Sequence, residues 1–227
     1  MTNSSRVRII ELALVLSIAF AGYIMVSLYT VSRGPLEYDS GQSFFNLLHS
    51  LVQELLAIAL LAYVLFRQGR SIHDLGLTFS WRDIPRSVLL MLVVQVTYYS
   101  WYLAIYYGNY LATGRTMTLS KDPHPVIDMG VTGTTLLFLV VNAFYEELIV
   151  RAYTMSELKF LTGSQPIAIA GSVLLQLLYH LYQGVGVAIA GSAGFFVFSL
   201  YYGKRRCITP IILAHLYIDM VALVLRW

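Results

Sequence analysis

Charged residues are scarce in this sequence. They make up 12% of its 227 residues, and hydrophobic residues make up 58%, whereas an ordinary soluble domain is roughly 25% charged. The longest polar stretches, at about 31–42, 67–86 and 113–133, are too short to bury a hydrophobic core of their own. The composition therefore excludes a separate soluble domain. It predicts an integral membrane protein whose partner is the lipid bilayer and not nucleic acid.

Cysteine is almost absent as well. The single thiol, Cys207, excludes an intramolecular disulfide, and the paired-cysteine pattern of a structural zinc site is missing. The sequence also has no internal repeat, no low-complexity tract and no glycine-rich phosphate-binding loop. The chemistry of the protein must therefore be sought among its few ionisable side chains.

Long hydrophobic runs dominate what is present. A helix needs about 20 apolar residues to cross a hydrocarbon core of about 30 Å, and the chain contains seven candidate segments. We expect one all-α, polytopic transmembrane helical bundle that forms a single membrane domain over residues 1–227. The first segment has no clear cleavage site, so we expect it to be retained as a span. The segments lie at about 8–30, 43–66, 87–112, 134–155, 166–183, 185–202 and 209–226.

The distribution of basic residues predicts the orientation, because cytoplasmic loops of membrane proteins retain Lys and Arg. With seven spans and a cytoplasmic N-terminus, most of the Lys and Arg residues fall on the cytoplasmic side. The outer segments then contain only Arg33, Arg115, Lys121 and Arg226. We therefore expect a multi-pass protein with a cytoplasmic N-terminus and an outer C-terminus.

The fourth segment ends in the sequence FYEELIVRAY, in which Glu146, Glu147 and Arg151 lie within an apolar run. A charged side chain at the centre of a span costs about 2.5–3.5 kcal/mol, and such residues usually face a cavity or a partner. Glu147 and Arg151 are four residues apart, so they share one helix face and can neutralise each other. Glu146 points about 100° away and lacks that partner. This asymmetry predicts a structural pair beside a carboxylate suited to act as a general base.

Two later segments contain histidines with a polar residue one turn away. Gln176 and His180 are four residues apart in the fifth segment, as are His215 and Asp219 in the seventh. A carboxylate and two imidazoles around a water molecule are the groups that hydrolysis requires. Glu146 would take a proton from water, one histidine would orient that water, and His215, held by Asp219, would stabilise the tetrahedral oxyanion.

These three stretches resemble the CPBP family of intramembrane proteases, which includes the CAAX prenyl endopeptidases and bacterial Abi proteins. The family pattern is Glu-Glu-x-x-x-Arg, an aromatic-x-x-x-His, and His-x-x-x-Asn or Asp, in that order. Here Glu146, Glu147 and Arg151 match the first motif, His180 the second, and His215 with Asp219 the third. The resemblance covers about residues 134–222, which we expect to be the catalytic core.

The resemblance implies Glu146, His180, His215 and Asp219 as catalytic residues, with Glu147 and Arg151 as supports. The aromatic residue of the second motif is replaced here by Gln176, and we expect this change either to add a polar group to the cavity or to alter the substrate groove. The implied activity is hydrolysis of a peptide bond in a membrane-anchored protein or peptide. We expect a bacterial cytoplasmic membrane protein whose active site opens toward the cytoplasm.

The same four side chains, Glu146, His180, His215 and Asp219, also offer nitrogen and oxygen ligands in a number suited to zinc. The spacing does not distinguish a metalloprotease from a glutamate-type protease. Because a compact ligand motif such as HExxH is missing, the metal-free glutamate mechanism is the preferred interpretation.

Two other classes of function fit the same residues. A non-catalytic immunity factor or scaffold would bind a partner peptide in the cavity. A proton-coupled transporter would use membrane-embedded Glu and His residues as a relay, and His49, Gln53 and Glu54 in the second segment favour it. The sequence shows no inverted repeat of the transporter type.

Overall fold

A computed structural model describes residues 3–34, 40–115 and 131–225. Within these residues the secondary structure is entirely helical, which confirms the predicted all-α fold. Seven main helices follow the seven hydrophobic segments. They are α1 (Asn3–Arg33), α2 (Ser40–Arg67), α3 (Asp83–Thr113), α4 (Gly133–Thr162), α5 (Gln165–His180), α6 (Val185–Arg205) and α7 (Thr209–Leu225).

Five of the described helices, α1 to α4 and α6, are long and apolar enough to cross a membrane. Helix α7 has 17 residues and α5 has 16, so at 1.5 Å per residue α5 extends about 24 Å. The two helices are therefore shorter than a standard span, as the lengths of the last hydrophobic segments predicted. Helix α4 is longer than predicted, because it continues past residue 155 to Thr162.

A tight connection places α5 antiparallel to α4. Gly163 ends α4 in a left-handed conformation with φ 69°, which glycine adopts without strain. The side chain of Ser164 then accepts a hydrogen bond from the backbone N–H of Ile167, and Pro166 lies in the first turn of α5. Because only two residues separate the helices, the second half of α5 returns alongside the middle of α4.

Ion pairs join α1, α4 and the segment that follows α2, at the end of the bundle where α1 begins. The buried carboxylate of Glu157 on α4 lies 3.4 Å from Arg8 and 2.5 Å from Arg70. Glu11 accepts a hydrogen bond of 2.8 Å from Gln68. The structure thus groups at one end several basic residues that the sequence assigned to the cytoplasmic side. The orientation itself stays a prediction, and Lys121 and Arg226 lie outside the described residues.

The segment between α2 and α3 packs against the start of α7. The N–H of Ile208 donates to the carbonyl of Gly76 at 3.1 Å, and the hydroxyl of Thr209 donates to the carbonyl of Thr78 at 2.8 Å. A Cβ at Gly76 would lie 2.0 Å from the carbonyl oxygen of Arg206, and its φ is 83°. Glycine is therefore required for this close approach, which fixes where α7 begins.

Two hydrophobic clusters stabilise the bundle, and polar residues lie where they meet. The larger cluster contains Ala57, Ala143 and Ala214, from α2, α4 and α7. The smaller cluster is formed by the same three helices. On the same three helices, polar side chains lie next to these apolar positions. We call this group the polar layer, and its members are Glu54, Asn142, Glu146, His215 and Asp219.

Candidate functional site

Helix α4 changes geometry at the charged motif. Residues Glu147–Tyr153 form a π-helical segment, and the hydroxyl of Thr154 donates to the carbonyl of Ile149, five residues earlier, at 2.7 Å. Such wide turns are rare and occur frequently at functional sites. The spacing of Glu147 and Arg151 predicted a regular α-helix here. The π-helix was not predictable, because hydrophobic periodicity over seven residues does not distinguish the two geometries.

The predicted pair of Glu147 and Arg151 is present in this segment. Arg151 Nε lies 3.3 Å from Glu147 Oε2, and both side chains are at most 1% exposed. The guanidinium also donates to Oε1 of Gln176 on α5 and lies over the ring of Phe195 on α6, 4.8 Å from its centre. Gln176 thus serves as a polar partner of Arg151, and Arg151 links α4, α5 and α6.

Glu147 has a second partner that the sequence did not indicate. Nδ1 of His215 on α7 lies 2.7 Å from Glu147 Oε1, within hydrogen-bonding distance. His215 Nε2 lies 3.7 Å from Asp219 Oδ2, which is too long for a hydrogen bond. Glu147 therefore makes the hydrogen bond to the imidazole, and Asp219, as predicted, lies one turn away within ion-pair distance. Helical spacing predicted the neighbour within α7, whereas packing of α4 against α7 brings a closer carboxylate.

Glu146 accepts its hydrogen bond from a residue that sequence reasoning missed. The hydroxyl of Tyr179 on α5 donates to Glu146 Oε2 at 2.6 Å, and the Tyr179 ring stacks on Phe20 of α1 at 4.6 Å. No hydrogen bond from the described residues reaches Glu146 Oε1, and Glu146 is 7% exposed. A tyrosine before His180 gave no signal, because tyrosines are common throughout this chain.

His180 lies at the end of α5, near the other site residues. Its Nδ1 is 3.0 Å from the backbone carbonyl of Gln176 and 3.1 Å from the side-chain amide nitrogen of Gln176, so Gln176 fixes the position of the ring. The His180 ring is 6.3 Å from the Phe195 ring, which in turn is 5.2 Å from His215. His180, His215 and Arg151 all lie within electrostatic range of Glu146. Side chains from α4, α5 and α7 therefore meet in one site. Phe195 of α6 lies between the two imidazoles.

Glu146, Glu147 and His215 form the one metal-binding arrangement that the described part of the chain offers, with potential ligand atoms within 4.8 Å of one another. His180 and Asp219 are not part of this group. Glu147 Oε1 contacts His215, and Glu147 Oε2 lies 3.3 Å from Arg151 Nε without a hydrogen bond. A catalytic zinc takes three protein ligands, and a metal ion at this position would have to compete with Arg151 and His215 for Glu147.

Removal of the Tyr179 hydroxyl provides a test of the Glu146 environment. The hydroxyl of Tyr179 holds the Glu146 carboxylate in place, and a misplacement of about 1 Å can cost about 10²-fold in rate. We therefore expect Tyr179→Phe to lower kcat of any Glu146-dependent reaction about tenfold or more. Tyr202→Phe is the matched control, since Tyr202 is equally buried and its hydroxyl bonds to the carbonyl of Leu75. Equal kcat values for the two variants would contradict the role given to Tyr179.

Together these contacts define a class of protein: a helical membrane protein with a buried carboxylate, two imidazoles and an arginine in one site. Residues 129–221 match the family model described as Type II CAAX prenyl endopeptidase Rce1-like. The match confirms the resemblance to the CPBP family of CAAX proteases and contains all three motifs. Helices α1 to α3 lie outside the matched segment. No curated protein and no solved structure gives a significant match.

The family match supports a protease of the CAAX-protease type, which acts on membrane-associated protein substrates. The five long apolar helices agree with an integral membrane location.

Proposed function

We propose that the protein is an intramembrane endopeptidase that hydrolyses a peptide bond of a membrane-anchored protein or peptide. The observation that carries this proposal is that the two adjacent carboxylates, Glu146 and Glu147, have different ion-pair and hydrogen-bond partners. Glu147 pairs with Arg151 and His215, whereas Glu146 forms no ion pair with the described residues and keeps its Oε1 without a hydrogen bond from them. A fixed carboxylate with one free oxygen is what a general base needs.

The proposed reaction begins with water bound between Glu146 and His180. The water oxygen attacks the scissile carbonyl carbon while Glu146 takes the proton, and the carbonyl oxygen becomes an oxyanion. When the intermediate collapses, the C–N bond breaks and the leaving amine receives that proton from Glu146. Atoms and charges balance without a further reactant.

His215 is the proposed oxyanion donor. Its Nδ1–H donates to Glu147, so Nε2 faces away from that carboxylate and toward Asp219. When Nε2 carries a proton, it is the donor that this ring can offer to an oxyanion, because Nδ1 is already directed at Glu147. Phe195 packs against the ring, which is buried, and an oxyanion hydrogen bond is stronger in a buried site.

We propose the metal-free glutamate mechanism, because Glu147 already pairs with Arg151 and His215, with which a metal ion would have to compete. Zinc bound by Glu146, His180, His215 and Asp219 remains a prediction for which these side chains would have to rearrange. The proposed location is a bacterial cytoplasmic membrane, with the site opening toward the cytoplasm.

Peptide cleavage in the presence of a chelator tests both parts of the proposal. Detergent-purified protein would be assayed on quenched fluorescent peptides, some prenylated at a C-terminal cysteine, with and without chelator. We expect cleavage that the chelator leaves unchanged. Activity lost with chelator and restored by zinc would refute the metal-free mechanism. Binding of the peptides without cleavage would instead favour a non-catalytic immunity or scaffold protein.

A further inference from the structure

One buried carboxylate in the polar layer has no role in the proposed mechanism. Glu54 of α2 is 0% exposed. Its Oε1 accepts a hydrogen bond of 3.0 Å from Asn142 Nδ2 on α4. Its Oε2 is also buried, and within the portion of the chain that the structure describes it has no hydrogen-bond partner.

The position of Glu54 connects it to the candidate active site. Asn142 precedes Glu146 by four residues, so both lie on one face of α4. Glu54 is within electrostatic range of Glu146, His215 and Asp219. Along the buried face of α2, Leu51 on one side of Glu54 and Ala57 on the other belong to the two hydrophobic clusters. Glu54 is thus a polar residue between apolar positions of α2, close to the candidate active site.

Such an arrangement is unfavourable in the protein alone. A buried acceptor that lacks a donor loses its hydration without compensation, and an apolar side chain would fill the same space without that loss. A donor that arrives with the substrate would supply the missing hydrogen bond. The unpaired oxygen therefore points to a ligand group and not to a role in folding.

A substrate peptide necessarily brings donors of one kind. To reach Glu146, the chain around the scissile bond must be extended, and its backbone N–H groups then have neither helical partners nor bulk water. In a membrane interior each unsatisfied backbone group is costly. A side-chain ammonium would fit Glu54 by charge, but it loses far more hydration on entering. The backbone amide comes with every substrate, whatever its side chains.

We propose that Glu54 and Asn142 form a substrate subsite in which Glu54 Oε2 accepts a hydrogen bond from a backbone N–H next to the scissile bond. This inference rests on the proposed peptidase function of Glu146. Glu54 would position the extended peptide. Glu54 would therefore affect the Kd of the substrate and not the rate of the chemical step.

Ester substitution tests this subsite, because an ester replaces one backbone N–H by oxygen. The probe is a fluorescent peptide ending in a prenylated CAAX sequence, with each backbone amide replaced in turn. Binding is measured by anisotropy in the Glu146→Gln protein, which keeps the peptide intact. We expect one ester to raise Kd about tenfold. When Glu54→Met is added, the same ester should change Kd less than twofold.

Two further variants provide controls. Glu54→Gln preserves the shape of the side chain and its acceptor for Asn142, but it presents an NH2 group in place of Oε2, so it should also abolish the ester effect. Gln53→Met changes the neighbouring residue, whose amide donates to the carbonyl of Ala19, and should retain the full ester effect.

Ester effects that are equal with and without Glu54 would overturn the proposal, as would a failure of the probe to bind. A merely structural role predicts a lower thermal midpoint in Glu54→Met and no change specific to one ester. The peptidase function fails separately, if wild-type protein binds the probe without cutting it or if Glu146→Gln still cuts.

Discussion

Glu146→Gln is expected to abolish peptide cleavage while leaving the protein as stable as the wild type. Loss of a general base lowers the rate by about 10²–10⁴-fold. The amide has nearly the shape of the carboxylate, and its oxygen still accepts the hydrogen bond from Tyr179. The measurements are kcat on a cleaved peptide and the thermal unfolding midpoint in detergent.

A matched control for this variant is Glu157→Gln. Glu157 is also a buried carboxylate on α4, but it pairs with Arg8 and Arg70 at the end of the bundle. This control should lose stability and retain turnover per folded molecule. Full activity in Glu146→Gln would exclude Glu146 as the base and would favour a binding protein.

Arg151→Ala is expected to lower both stability and activity. Removing one partner of a buried ion pair costs about 3–5 kcal/mol, because the other charge is left uncompensated. Here the carboxylate of Glu147 would lose Arg151, and Gln176 would lose its guanidinium donor. We expect a marked drop in the thermal midpoint and a loss of cleavage, since His215 depends on Glu147 for its orientation.

Two comparisons test whether the unpaired charge of Glu147 causes the loss of stability in Arg151→Ala. Arg8→Ala should have a much smaller effect, because Glu157 remains paired with Arg70. The double variant Glu147→Gln, Arg151→Met removes both charges and should be more stable than Arg151→Ala alone. Equal loss of stability in Glu146→Gln and Arg151→Ala would refute the separate roles given to the base and the ion pair.

The spans were predictable because the bilayer imposes a simple requirement on composition. About 20 apolar residues are needed for each crossing, and the seven segments correspond to the seven main helices among the described residues. Helix ends were less accurate, as at Thr162, where polar residues continue α4 beyond its apolar run. Local spacing was also sufficient to predict that Glu147 and Arg151 would meet, since both belong to one helix.

Contacts between helices were not predictable in the same way. Tyr179 and Phe195 are ordinary apolar or aromatic residues of their own helices, and only packing shows that one donates to Glu146 and the other separates the imidazoles. The contact between Glu147 and His215 joins residues 68 positions apart, and no periodicity contains that information.

The sequence by itself determined that the protein is helical and embedded in a membrane. Its three motifs also determined which ionisable residues to consider, because a charged side chain in a bilayer is costly and occurs there with a partner or a function. The tertiary structure decided how those residues divide the work. It assigned Glu147 to Arg151 and His215, left Glu146 with a free oxygen beside Tyr179, and placed Glu54 in the same polar layer. The physical reason is that hydrogen bonds and desolvation depend on distances of a few ångströms between helices, which only packing of the whole bundle sets.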